Sequence, residues 1–215
     1  MGKQDASVSR AKQKAKFVLL GEGRVGKTSL VSRIIHNIFN DSQQATVQAA
    51  FASKTLEIDR EQVEVAFWDT AGQERFHSLA PLYYRDADAA LLVYDITDKH
   101  AFQQVQRWVK ELQTMVGAIT LTILGNKCDM VKQQAVSEEE ARGYAESIGA
   151  EHHYVSAKSG AGIDAAVQQS VQRLLQRRAS QAQHRPPSYL PGRRQGGLVI
   201  ADPEQPASKR QSACC

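Results

Sequence analysis

Cysteine is scarce in this chain: three occur in 215 residues, Cys128 inside the sequence and Cys214 and Cys215 as its last two. Three thiols do not make a disulfide framework, and no Cys/His spacing suggests zinc. The six histidines are scattered, and the His152-His153 pair falls at a strand start, where a structural or surface role is expected. No apolar run approaches the roughly 20 residues that span a bilayer. Residues 1–16 are polar and basic without the apolar stretch of a secretory leader, which points to the cytosolic side. A uniform excess of one charge is also missing. The net charge of +4 comes from the ends, because residues 1–16 hold five basic side chains against one acidic and residues 177–215 hold seven against two. The stretch between them is acidic, which argues against a nucleic-acid-binding face.

What is present is an ordinary globular composition, 42% hydrophobic and 23% charged, at a length suited to one domain plus extras or two small domains. Apolar runs alternate with helical patterns. "KFVLL" (16–20), "AALLVYDI" (89–96) and "TLTILGNK" (120–127) read as buried strands, "HHYVSA" (152–157) as a last strand, and 51–69 as a hairpin around the polar "IDRE". A helix runs from the glycine-rich stretch to about His36, followed by a polar loop over 37–49. Phe102, Val105, Val109, Leu112 and Val116 recur at helical spacing, with Trp108 at the edge of that face. Ser137 stands three before Glu140, a capping-box signal for a helix that Gly149 closes, and Ile163, Val167, Val171 and Leu174-Leu175 mark a final helix. Continuous apolar strands alternating with helices predict an α/β, doubly wound, mainly parallel sheet. Ligands of such sheets sit beyond the carboxyl ends of the strands, where each motif below falls.

"LLGEGRVGKTSL" (19–30) contains Gly21-x4-Gly26-Lys27-Thr28, a match to G-x-x-x-x-G-K-[ST] between a strand and a helix. Gly21, Gly23 and Gly26 let backbone N–H groups, with those of Arg24, Val25 and Ser29 in the same loop, turn toward a phosphate at a helix N-terminus. Lys27 reaches the β- and γ-phosphates, and the Thr28 hydroxyl suits Mg²⁺. The motif alone leaves ATPases, kinases and GTPases open. "GNKCD" (125–129) separates them. Asp129 can accept two hydrogen bonds from guanine, whereas opposite adenine its charge would be unpaired. Asn126 binds the base edge and braces the loop, Lys127 packs its stem over the ring, and "SAK" (Ser156, Ala157, Lys158) closes the pocket with the Ala157 amide toward the guanine carbonyl. "WDTAGQERF" (68–76) puts Asp69 at a strand end near Mg²⁺, Gly72 near the γ-phosphate, and Gln73 where it can orient the attacking water.

With "YYRDA" (83–87), "LVYDIT" (92–97) and a terminal Cys-Cys, the chain resembles a small GTPase of the Ras superfamily, specifically of the Rab branch, over about residues 14–176. "LLGEGRVGKTSLV" and "TVQAAF" are most similar to the endocytic, early-endosome group. The family usually has glycine after the Thr-Ile of the first switch; here Val47 is followed by Gln48, which favours the sub-branch associated with early endosomes and internalisation of adhesion receptors. The resemblance implies a P-loop NTPase fold with a six-stranded sheet, one antiparallel edge strand and five helices. It implies Mg²⁺ and GTP or GDP as cofactors, with Thr46 as the first-switch threonine that contacts Mg²⁺ and senses the γ-phosphate. Phe39 would stack across guanine, and Phe51, Trp68 and Tyr83 would form an aromatic triad on the effector face. The partners implied are an exchange factor, a GTPase-activating protein, a GDP-dissociation inhibitor or escort protein, and membrane effectors. Intrinsic turnover should be slow, on the order of 10⁻⁴ s⁻¹, since no arginine is evident in cis.

The domain is expected over 15–177, preceded by a basic extension (1–14) and followed by a proline-rich tail (178–215) that reads as a disordered linker of about 35 Å reach. "GGLVIAD" (196–202) is its one apolar island. Ser212 at the fourth position from the end excludes a C-a-a-X box. The double cysteine instead resembles the Rab ending, on which Cys214 and Cys215 are geranylgeranylated and two lipids hold the protein to a membrane. The expected location is the cytoplasmic side of endocytic membranes, cycling with the cytosol.

Overall fold

The computed structural model of the chain describes residues 12–46, 49–70 and 80–183. Its strands are β1 (Gln13–Leu20), β2 (Ala50–Ile58), β3 (Glu61–Asp69), β4 (Ala89–Asp95), β5 (Thr120–Asn126) and β6 (Glu151–Tyr154). The α-helices among the described residues are α1 (Lys27–His36), α2 (Ala80–Tyr84), α3 (Lys99–Met115), α4 (Glu138–Ser147) and α5 (Ile163–Gln183). The strands form one sheet in the order β2-β3-β1-β4-β5-β6. Every pairing is parallel except β2 with β3. This is the expected doubly wound architecture with one antiparallel edge strand.

The sequence explains the layers. β4 and β5 are buried at every position because both faces are covered. β3 alternates instead, with Val63, Val65 and Phe67 turned into the core. The order reverses at β1: the chain moves from β1 to β3 on one side and from β3 back to β4 on the other. Right-handed crossovers then place the connecting helices on opposite faces and leave a crevice at the carboxyl end of β1.

The β2–β3 hairpin turns through Asp59 (φ 49°) and Arg60 (φ 67°), both left-handed. A two-residue turn of that hand matches the twist of the strands it joins, and it sets a register that puts Phe51 opposite Trp68. Ser137 caps α4 as expected, accepting from Glu140 N at 3.1 Å. Asp98 caps α3 by accepting from His100 N and Ala101 N.

Three expectations are corrected. β1 begins at Gln13, inside the presumed N-terminal extension, because it pairs with Val63 and its side chain donates to Glu61 Oε2 at 2.6 Å. Trp108 is buried rather than at the edge of α3, since Val105, Trp108, Val109 and Leu112 form one stripe at helical spacing against the sheet. α5 runs to Gln183, past the boundary expected at 177/178. Its last turns, "ASQAQ", bury nothing, but alanine, glutamine and arginine prolong a helix well, and the next proline along the chain comes only at Pro186.

His152 has the structural role expected of it. Its Nε2 lies 2.9 Å from the Tyr94 hydroxyl, and its ring packs edge-on against Tyr154. Burial, with the nearby His153 and Arg142, pulls its pKa down from 6.5 to about 4. The unfolded chain therefore binds this proton more readily than the folded one. The stability contribution is complete above pH 6.5 and is lost as the pH falls toward 4. Urea unfolding at pH 7 and pH 4.5 should show the wild type losing roughly 2 kcal/mol more than His152→Asn. Equal losses would show that another group titrates.

Candidate nucleotide-binding site

The glycine-rich loop leaves β1 at the crevice and enters α1. Gly21 must be glycine, because a Cβ there would lie 2.1 Å from Val93 O. Gly26 has φ +97°, and its Cβ would lie 2.4 Å from Asn126 Nδ2. Between those two glycines the backbone is left-handed at Arg24 (φ 66°), which is not a glycine. Val25 is buried beneath the loop, and Arg24 and Ser29 line the cleft above it.

Lys27 is buried, and its ammonium donates to Gly21 O at 2.7 Å and Glu22 O at 2.8 Å. Burial lowers its pKa to about 8 against the pull of Asp69 and Glu22. The Lys27 charge is thus held where the loop closes on itself, at the helix N-terminus.

Thr28 Oγ1 donates to Asp69 Oδ2 at 2.6 Å and sits 2.5 Å from Thr46 Oγ1. Residues from three separate segments meet here: the start of α1, the loop before β2, and the end of β3. Asp69 Oδ1 is buried without a partner among the described residues, and burial raises the carboxyl's pKa despite the Thr28 hydrogen bond and the charge of Lys27. Two hydroxyls and a carboxylate form a hard-oxygen donor set that fits Mg²⁺, and the unpartnered oxygen is the atom such an ion or its water would satisfy.

At the other end of the cleft, Asn126 is 1% exposed. Its Nδ2 donates to Val25 O at 2.7 Å and its Oδ1 accepts from the Ala157 amide at 3.1 Å. The bracing role expected of Asn126 is thus present, and the Ala157 amide, expected to face guanine, is engaged by that side chain. Lys127 adopts a left-handed backbone (φ 66°) and its ammonium pairs with Asp95 Oδ2 at 2.5 Å. Ser156 Oγ donates to Asp129 Oδ1 at 2.5 Å. Phe39, half-buried, and Lys158 complete a cleft of about 820 Å³ that runs from Lys27 to Asp129.

On the outer strands, Phe51 is 60% exposed and meets Trp68 edge to face with ring centroids 5.6 Å apart. Phe51 is therefore a surface aromatic and not part of the core. Lys16 Nζ lies 4.8 Å from the Trp68 ring centroid and donates to Arg85 O just after α2, the helix that carries half-buried Tyr83. Gly72, Gln73, Val47, Gln48, Cys214 and Cys215 lie outside the described residues.

Asp95 and Arg33 support the cleft from outside its lining and were not singled out from the sequence. Asp95 orients Lys127, and its signal was an acid ending the wholly apolar run "AALLVY". Arg33 donates to the carbonyls of Ala157 and Lys158, and nothing in the sequence pattern marks it.

The model of the Ras family matches residues 16–176, and the chain belongs to that family, whose members bind and hydrolyse GTP. Among curated proteins, Ras-related protein Rab-21 of Homo sapiens is 48% identical over 204 residues, covering 93% of this chain and 90% of that protein. Rab-21 of Geodia cydonium is 54% identical over 161 residues (74% of this chain, 70% of that protein), and Rab5A of Oryza sativa subsp. japonica is 42% identical over 204 residues (94% of each). The resemblance to an endocytic Rab GTPase is borne out by these matches, and the chain is a GTP-hydrolysing switch of the Rab type.

Gly26→Ala should push a methyl into Asn126 and force a strained φ, breaking the join between cradle and base loop. GDP affinity should fall at least about 100-fold, measured by fluorescent-nucleotide titration. Affinity within threefold of wild type would show that the loop relaxes around the methyl.

Proposed function

We propose that this chain is a membrane-attached timer: it recruits effectors to early-endosomal membranes while GTP is bound and releases them after hydrolysis. The observation that carries the reading is the contact of Thr46 with the Thr28 hydroxyl, which itself donates to Asp69. A hydroxyl on the loop before β2 approaches the very groups suited to Mg²⁺, so the position of that loop can depend on what the cation and the γ-phosphate do. In this reading Thr28, Thr46 and Asp69 would hold Mg²⁺, which would supply positive charge beside the phosphates. Lys27 and the loop amides hold the phosphates, Asp129 and the 156–158 loop select guanine, and Phe39 covers the base. Gly72 approaches the γ-phosphate and Gln73 orients the attacking water. Phe51, Trp68 and Tyr83 present the state of the switch to effectors.

The further partners are an exchange factor, an activating protein and a GDP-dissociation inhibitor, and the anchor is a pair of prenyl groups on Cys214 and Cys215. Two lipids give firm attachment that one does not, so a carrier that hides them is needed for cycling through the cytosol.

Gln73→Leu should lower intrinsic single-turnover GTP hydrolysis at least about tenfold; an unchanged rate removes Gln73 from the mechanism. An N-terminally tagged full chain should coincide with early-endosomal markers, and Cys214→Ser/Cys215→Ser should be diffuse in the cytosol. Equal membrane attachment of the two would place the anchor elsewhere.

A further inference from the structure

Arg33 lies on α1 outside every motif that meets the nucleotide, and its guanidinium joins two segments that do. Nε donates to Ala157 O at 2.9 Å and one terminal nitrogen to Lys158 O at 2.8 Å. The other terminal nitrogen donates to Asn37 O at 2.9 Å and Asn37 Oδ1 at 3.1 Å. Four acceptors on one planar group are a use to which a guanidinium is suited and an ammonium is not.

The acceptors come from two places. Ala157 and Lys158 belong to the loop that closes the base pocket. Asn37, in a left-handed conformation with its own N–H bonded to Arg33 O, ends α1 two residues before Phe39. Holding the 157 and 158 carbonyls on the α1 side leaves the Ala157 amide facing Asn126 Oδ1, inside the pocket. Holding Asn37 fixes where Phe39 can stand. One side chain thus sets the two walls of the base pocket relative to each other.

Its role is distinguishable from simply finishing a helix. The end of α1 has a second tie, because Lys54 Nζ donates to Ile34 O at 2.7 Å. The phosphate end of the cleft depends on Lys27, Thr28, Thr46 and Asp69, none of which Arg33 bonds.

We propose that Arg33 is a positioning residue for retention of the guanine nucleotide: a clamp between the 156–158 loop and the Phe39 segment, so that both walls of the pocket loosen when either is pulled away. The proposal rests on the reading of this pocket as the guanine site. It also supplies a route for exchange. A partner that displaces the loop after α1 would draw on Asn37, and through Arg33 on the Ala157 and Lys158 carbonyls, without touching the base.

The test uses the full chain with Mg²⁺ and GDP carrying a fluorophore on its ribose, chased with excess unlabelled GDP. Arg33→Ala should release the nucleotide about tenfold faster than wild type, the loss expected for several charge-assisted hydrogen bonds. Single-turnover hydrolysis of bound GTP should stay within about twofold, since the phosphate machinery is intact. Arg33→Lys, which keeps the charge but not the fork, should fall between the two. Unchanged release in Arg33→Ala overturns the clamp, as does faster release accompanied by an equal change in hydrolysis, which marks a general structural role. Should Arg33→Ala not fold, Arg33→Lys decides alone: release equal to wild type overturns the proposal and faster release with normal hydrolysis supports it. Failure of the wild type to retain labelled GDP at all would instead sink the guanine-site reading beneath it.

Discussion

The amide of Asn126 must satisfy both of its ends, because it is buried where water cannot reach it, and an unpaired polar group there costs about 1–3 kcal/mol. Its nitrogen finds Val25 O in the phosphate loop and its oxygen finds the Ala157 amide in the base loop. Its backbone is fixed as well, as the last residue of β5, whose carbonyl accepts from Ile96 N at 3.1 Å. A strand flanked by β4 and β6 is thereby tied to two loops that lie outside the sheet. Gly26 follows from this, since its missing side chain is the space Asn126 occupies. So does the placement of Lys27 and Thr28, the next two residues of the chain. The nucleotide cleft is an extension of the sheet, carried there by one side chain.

That cleft also gathers charge in places where charge is costly. Burial lowers the pKa of Lys27 and raises that of Asp69, so each is pushed toward its neutral form. Their mutual attraction opposes both shifts without cancelling them. A polyphosphate with its cation would supply what each lacks: a negative group beside the lysine and a positive one beside the aspartate. The strain is directional, because it is relieved by an anion at one end of the loop and a cation at the other. Such opposed shifts inside a cleft are a mark of a site built for a ligand and not for the stability of the chain alone.

Much of this was legible because the fold is written in continuous apolar strands and the chemistry sits at their ends. "FVLLG", "LVYD" and "TILGNK" each pass from core to polar residue within one or two positions, so the motifs and the sheet edge were read together. Turn chemistry was less legible. Asp59 and Arg60 carry a left-handed turn that glycine or asparagine would have announced. Arg24 is left-handed in the glycine-rich loop although it is not a glycine, because a pattern of glycines says where freedom is available and not every place where it is used. Side chains that act across long separations left no trace at all. Arg33 meets Ala157 over 124 residues, and Lys16 covers Trp68 while binding the carbonyl of Arg85. Such contacts depend on which helix lies beside which loop, and a period along one segment does not contain that.

The last helix carries a mechanical consequence. Arg178 donates to Asp88 Oδ1 at 2.6 Å and to Lys14 O at 3.0 Å, and Arg177 donates to Asp88 O at 3.2 Å. Asp88 in turn accepts from the Lys16 amide at 2.8 Å, so α5 is riveted to the first residues of β1, at the end of the strands away from the cleft. Any tension on the chain beyond Gln183 enters the domain along α5 and meets these rivets first. Force is shed into the backbone of β1 before it can reach the loops at the other end.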